Sequence, residues 1–72
     1  MPRESQLPSA RVFAALKAKI ESGALQPGEQ MPSLRKISDD YKVSQTTARK
    51  VIEALASEGL VEIKPRWGSF VR

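Results

Sequence analysis

Residues 43–60 read VSQTTARKVIEALASEGL. Hydroxyl and amide side chains, Ser44, Gln45, Thr46 and Thr47, open the stretch, and the cations Arg49 and Lys50 follow within one turn. Two kinds of chemistry suit this order. Threonine hydroxyls and the free N–H groups at a helix start bind phosphate oxygens. Glutamine and arginine reach base edges in a major groove, arginine best to guanine and glutamine to adenine. An isolated helix gains nothing from the arrangement, because threonine lowers helix propensity and cations near an N-terminus oppose the helix dipole. The plainer alternative is that both threonines are tolerated in a first turn and the charges are solvated.

A second cluster lies just upstream. Ser33 is a natural N-cap, its hydroxyl accepting from a free helix N–H. Arg35 and Lys36 follow it, and Lys36 stands where a capping box would place Glu or Gln. A nearby phosphate would offset the cost of two cations at a positive helix end, whereas a long Lys36 side chain could also turn away into water. A third group, Lys64, Arg66, Trp67 and Gly68, surrounds a short turn near the C-terminus.

The chain has 72 residues and a net charge of +4, from twelve Lys and Arg against eight Asp and Glu, which favours an anionic partner. It contains no cysteine and no histidine, which excludes disulfides and thiolate sites and removes the commonest general base and metal ligand. No nucleophile–base pair is at hand, and Asp39-Asp40 reads as a solvated helix face, so neither an enzyme nor a cofactor is expected. No apolar run approaches the ~20 residues of a membrane span, and the N-terminus lacks a signal-peptide stretch. The expected location is the cytoplasm, with no membrane partner.

The elements that would position these groups follow from spacing. Residues 1–7 are polar and expected to be a flexible segment ahead of a single domain, 8–72. A first helix starts at Pro8 or Ser9, with Val12, Phe13, Leu16 and Ile20 on one face and Arg11, Lys17 and Glu21 toward water, and Gly23 ends it. Residues 24–33 are a loop turning at Pro27-Gly28 and pinned by Leu25 and Met31. A short second helix runs to Tyr41, with Leu34, Ile37 and Tyr41 inward. Val43 is expected to be buried and Ser44 to cap a third helix reaching about Ser57, closed by Gly59. At about 100° per residue, Ala48, Val51, Ile52 and Leu55 share a core-facing arc. Thr46, Lys50, Glu53 and Ser57 lie opposite, Gln45 and Thr47 flank the arc, and Arg49 falls between Gln45 and Thr46. Residues 60–64 and 69–72 read as strands joined by the turn at 65–68. The expected fold is mainly α with a small β-hairpin: a winged helix-turn-helix of three helices and a two-stranded wing.

Taken together, IESGALQPGEQMPS, LRKISDDYKVSQTTARKVIEALASEGLV and WGSFV resemble the DNA-binding domain of the GntR family of bacterial transcription regulators, from about Leu7 to Val71. The resemblance implies a third helix in the major groove and a wing near the minor groove. It implies contacts from Arg35 on the second helix and from Gln45, Thr46, Thr47 and Arg49 on the third. With the two caps and the basic wing, the candidate DNA-binding set is Ser33, Arg35, Lys36, Ser44, Gln45, Thr46, Thr47, Arg49, Lys50, Lys64, Arg66, Trp67 and Gly68. The implied partner is double-stranded DNA carrying an inverted repeat, bound by a homodimer, most often for repression. A metabolite effector would bind a C-terminal domain absent from this sequence, so the chain reads as an excised domain or a naturally short protein.

Departures from the family pattern are informative. Gln45 replaces a frequent Arg, which moves the expected base from guanine to adenine. Lys36 replaces a frequent Glu. Arg66 stands where the first wing glycine usually sits, and a positive φ there strains a non-glycine residue; its guanidinium could enter a narrow minor groove. Trp67 either covers the core beneath the wing, the favoured reading, or touches sugar-phosphate. A winged-helix module for protein–protein contact is the alternative function, and the retained basic face of the third helix argues against it.

Overall fold

The computed structural model describes residues 7–72, so the first six residues of the expected N-terminal segment lie outside the described residues. Helix α1 spans Pro8–Ser22, α2 Leu34–Tyr41 and α3 Gln45–Ser57; strands β1, Val61–Lys64, and β2, Gly68–Val71, follow. The fold is a winged helix-turn-helix, three helices followed by an antiparallel hairpin.

Each helix begins and ends for a local reason. Pro8 opens α1, where its missing N–H is no loss, and the Leu7 carbonyl accepts from the Arg11 N–H at 3.0 Å. Gly23, at φ 86°, ends α1 in the left-handed conformation. Ser33 Oγ accepts from the Lys36 N–H, and Ser44 Oγ from the Thr47 N–H, both at 3.1 Å, so α2 and α3 each start on the expected serine. Between them Lys42 takes φ 58°, a left-handed residue without the help of glycine. Ser38 secures this turn from the α2 side: its hydroxyl donates to the Val43 carbonyl and its own carbonyl accepts from the Val43 N–H. Val43 itself packs against the core but is only half-buried, not buried as its apolar character suggests.

The core collects Val12 and Leu16 of α1, Met31 of the loop, Ile37 of α2, Ala48, Val51, Ile52 and Leu55 of α3, and Val61 and Val71 of the hairpin. Among the described residues no polar or charged residue is buried. Phe13, Ile20, Leu25, Leu34, Tyr41 and Leu60 pack around this centre, half-buried. Apolar burial supplies most of the driving force, at roughly 25 cal/mol per Å². The arc of α3 derived from helical spacing is thus the seam that packs against α1, α2 and β1. Arg11 and Lys17, placed toward water by the same spacing, stay at the surface but reach across it. Arg11 Nη2 lies 3.4 Å from the Tyr41 carbonyl, and Lys17 Nζ 3.4 Å from Glu58 Oε1.

In the hairpin Val61 pairs with Val71, Glu62 with Phe70, Ile63 with Ser69 and Lys64 with Gly68. The strands are each set one residue from the ranges read off the sequence, starting at Val61 and Gly68. The other edge of β2 is also occupied. The Gly28 N–H donates to the Val71 carbonyl at 2.8 Å, the Val71 N–H to the Glu29 carbonyl at 2.9 Å, and the Met31 N–H to the Ser69 carbonyl at 2.7 Å. Loop 28–31 therefore runs along β2 as a third line of hydrogen bonds, with Gln30 bridged to Phe70. This covers an edge that would otherwise offer unpaired backbone groups to another chain.

Candidate nucleic-acid interface

The first turn of α3 projects from the domain because its neighbours in the helix are anchored. Ala48, Val51, Ile52 and Leu55 are buried, which turns Gln45, Thr46, Arg49 and Lys50 outward, and all four are exposed. Thr47 is half-buried: its N–H donates to Ser44 Oγ and its hydroxyl oxygen lies 3.1 Å from the same atom. Ser44 and Thr47 therefore spend part of their hydrogen-bonding capacity on the cap, while Gln45 and Thr46 make no side-chain hydrogen bond among the described residues.

Arg35 and Lys36 extend the basic face onto α2, and both are exposed. Lys36 Nζ lies 3.4 Å from Asp40 Oδ2, one turn along the helix. So the Lys36 side chain neither turns freely into water nor sits bare at the helix start. An exposed pair of this kind is worth only about 0.3–0.5 kcal/mol and can be given up to an anion.

Arg49 of α3 and Ser33, the cap of α2, line one groove of about 360 Å³ with Gln30, Ile63, Gly68 and Ser69. The groove runs between the α2–α3 pair and the wing, floored in part by Met31, Leu34 and Ile52, with Glu53 at its side. Lys50 lies elsewhere. It borders a second hollow of about 340 Å³ on the α1 side, with Leu7, Ser9, Ala10 and Phe13. Lys64 belongs to the wing face away from the first groove, since its neighbours Ile63 and Ser69 face in and strand side chains alternate. Its ammonium sits 3.6 Å from Glu62 Oε1 and 5.4 Å from the centre of the Phe70 ring.

The wing tip corrects one expectation. Trp67 is 72% exposed and covers no core. The base of the hairpin is already sealed by Val61 and Val71. The turn closes where the Trp67 N–H donates to the Lys64 carbonyl at 3.0 Å, three pairs further out, or about 10 Å at 3.3 Å per residue. A ring at that distance has no core beneath it. Ile63, one pair inside the tip, is 46% exposed for the same reason. Arg66 does adopt a positive φ, 75°, and Gly68 follows at 110°. Proline at the first central position and positive φ at the second match the requirements of a type II turn. Arg66 and Trp67 thus stand together at the outermost point of the hairpin.

Sequence reasoning missed Gln30. Its Nε2 donates to the Trp67 carbonyl at 3.0 Å, across 37 positions of sequence. A loop residue between a turn and a helix cap carries no periodicity that would have disclosed this.

Comparison with known proteins decides the family. The sequence model described as "Bacterial regulatory proteins, gntR family" matches residues 8–71. The chain belongs to the gntR family. Among its gntR-type relatives, the Exu regulon transcriptional regulator of Escherichia coli K12 is 40% identical over 61 residues, covering 85% of this chain and 24% of that protein. The HTH-type transcriptional repressor NagR of Bacillus subtilis is 33% identical over 61 residues, covering 85% of this chain and 25% of that protein. The chain therefore spans about a quarter of the length of these curated relatives. A crystal structure of the DNA-binding domain of AraR, in complex with operator ORX1, superimposes with a TM-score of 0.90 at 29% identity, covering 99% of this chain and 87% of that one. The relatives are transcriptional regulators. No helix among the described residues of this gntR-family chain is long and apolar enough to cross a membrane.

Proposed function

We propose that this gntR-family chain is the sequence-specific DNA-binding part of a transcription regulator acting in the cytoplasm, a repressor in its usual role, and that it performs no catalysis. The observation that carries the reading is the exposed edge Gln45-Thr46-Arg49-Lys50, turned outward by the buried seam of α3, with Arg35 exposed on α2 and Arg66 exposed at the wing tip. Six of the chain's twelve Lys and Arg, namely Arg35, Lys36, Arg49, Lys50, Lys64 and Arg66, are exposed on α2, α3 and the wing.

The mechanism divides the labour by chemistry. The helix starts at Ser33 and Ser44, with the Thr46 and Thr47 hydroxyls, suit phosphate oxygens and set the register of the domain on the duplex. Arg35, Lys36 and Lys50 add cations along the backbone. Gln45 and Arg49, on the outer edge of α3, reach base edges in the major groove, adenine for Gln45 and guanine for Arg49. The tip, Arg66 and Trp67 with Gly68, lies along the minor groove, and Lys64 meets phosphate from the outer wing face. The AraR domain crystallised on its operator supports a double-stranded DNA partner. A homodimer on an inverted repeat, and an effector-binding domain elsewhere in the full protein, follow the family pattern.

A titration against a duplex selected from a random-sequence library tests this. Affinity falls linearly with salt on a log–log scale, with a slope of about −0.9 per phosphate neutralised. Arg49→Ala costs about 1–3 kcal/mol and relaxes preference at one base position. An Arg49→Ala chain that binds as tightly and as selectively as the wild type refutes the docking.

A further inference from the structure

The wing tip is held from outside the wing. The tip holds two departures from ordinary backbone, Arg66 at φ 75° and, on the far side of Trp67, Gly68 at φ 110°. The strand pairs end at Lys64 and Gly68, and one backbone bond, from the Trp67 N–H to the Lys64 carbonyl, closes the turn. Beyond that point the only side-chain hydrogen bond to the tip among the described residues comes from Gln30, through Nε2 to the Trp67 carbonyl at 3.0 Å. Gln30 can reach because its own backbone is fixed against β2, bridged to Phe70 and followed by the Met31 N–H bond to Ser69. The contact is close on its other side too. A Cβ on Gly68 would fall 2.9 Å from Gln30 Nε2. The missing side chain of Gly68 therefore serves two ends: it permits the positive φ, and it leaves room for the amide that secures the neighbouring carbonyl.

We propose that Gln30 is a positioning residue for DNA binding, a strut from loop 28–31 that fixes the direction in which Arg66 and Trp67 leave the wing. This rests on the DNA-binding reading above. Gln30 itself need not touch DNA. Its effect is to order the two tip residues before binding, so that the duplex does not have to order them at its own cost in entropy.

Gln30→Met keeps the length of the side chain and removes the donor; Gln30→Asn keeps the donor and withdraws it by one methylene. In the free protein, backbone ¹⁵N relaxation gives order parameters near about 0.85 at residues 65–68 in the wild type and well below that in both variants, with the helices unchanged. Binding to the highest-affinity duplex selected by the wild-type chain weakens about twofold to tenfold, the range of one neutral hydrogen bond. The loss disappears in an Arg66→Ala/Trp67→Ala background and persists in an Arg49→Ala background. A purely structural role would lower binding equally in both backgrounds. Wild-type affinity and a rigid tip in Gln30→Met would overturn the proposal while leaving the DNA reading intact. A wild-type chain that binds no duplex would overturn both, and its relaxation data would still report whether Gln30 orders the tip.

Discussion

Arg66 couples backbone strain to charge, and Arg66→Gly separates them because stability and affinity move in opposite directions. The residue sits at φ 75°. A non-glycine residue in the left-handed region costs roughly 1–2 kcal/mol, and glycine returns about 0.5–1 kcal/mol of that through the greater freedom of its unfolded chain. Among the described residues the Arg66 side chain makes no ion pair that the substitution would remove. The net expectation is a stabilisation of about 0.5–1 kcal/mol, a rise in Tm of roughly 2–8 °C for a domain of this size. Binding moves the other way. One cation leaves the tip, so affinity for the selected duplex drops and the log–log salt slope becomes shallower by about one unit. Arg66→Ala is the control: it removes the charge and keeps the strain, so binding weakens as for glycine while stability stays within about 0.5 kcal/mol of wild type. Thermal denaturation by circular dichroism and a fluorescence-anisotropy titration at several salt concentrations read both effects. A fall in Tm for Arg66→Gly would refute the strain argument. An unchanged salt slope in both variants would remove Arg66 from the interface.

Other substitutions probe the remaining parts of the argument. Ser44→Ala removes the cap of α3 and should cost about 1 kcal/mol, visible as a drop in Tm of roughly 4–8 °C in thermal denaturation. Leu55→Ala opens the centre of the core, where Leu55 is fully buried, and should cost about 2–5 kcal/mol. At roughly 0.05–0.15 kcal/mol per residue, that is a large share of the domain's total stability, and the urea midpoint should fall accordingly. Gln45→Arg should move the preferred base at one position from adenine to guanine, as read by repeating the selection from a random library; an unchanged consensus would show that Gln45 does not face a base.

Much of the positioning frame was legible because it is written in local chemistry. Ser33 and Ser44 cap the helices they precede, since a serine hydroxyl can reach only the N–H groups two or three residues on. Gly23 and Gly59 end α1 and α3 because few other residues tolerate their backbone angles. The exposed edge of α3 follows from the 3.6-residue period once Ala48, Val51, Ile52 and Leu55 are recognised as its buried side. The positive φ of Arg66 came instead from the family resemblance, which places a glycine at that position.

What could not be read lies where distant segments meet. The apolar character of Trp67 suggested a cover for the core, but the ring's burial depends on how far the hairpin extends past Val61 and Val71, a length in space rather than a pattern in sequence. Val43 packs against the core only in part, its depth set by where the α2–α3 turn meets the other elements. The division of the basic residues, Arg49 to the groove beside the wing, Lys50 to the α1 side and Lys64 to the outer wing face, was set by the packing of helices and hairpin. The sequence by itself determined which residues start, stop and line each helix, because those choices are made by hydrogen bonds and angles within a few residues. Only the tertiary structure decided that Gln30 meets Trp67 and that loop 28–31 closes the edge of β2. Contacts across 37 residues are selected by the packed core as a whole, and no local propensity encodes them.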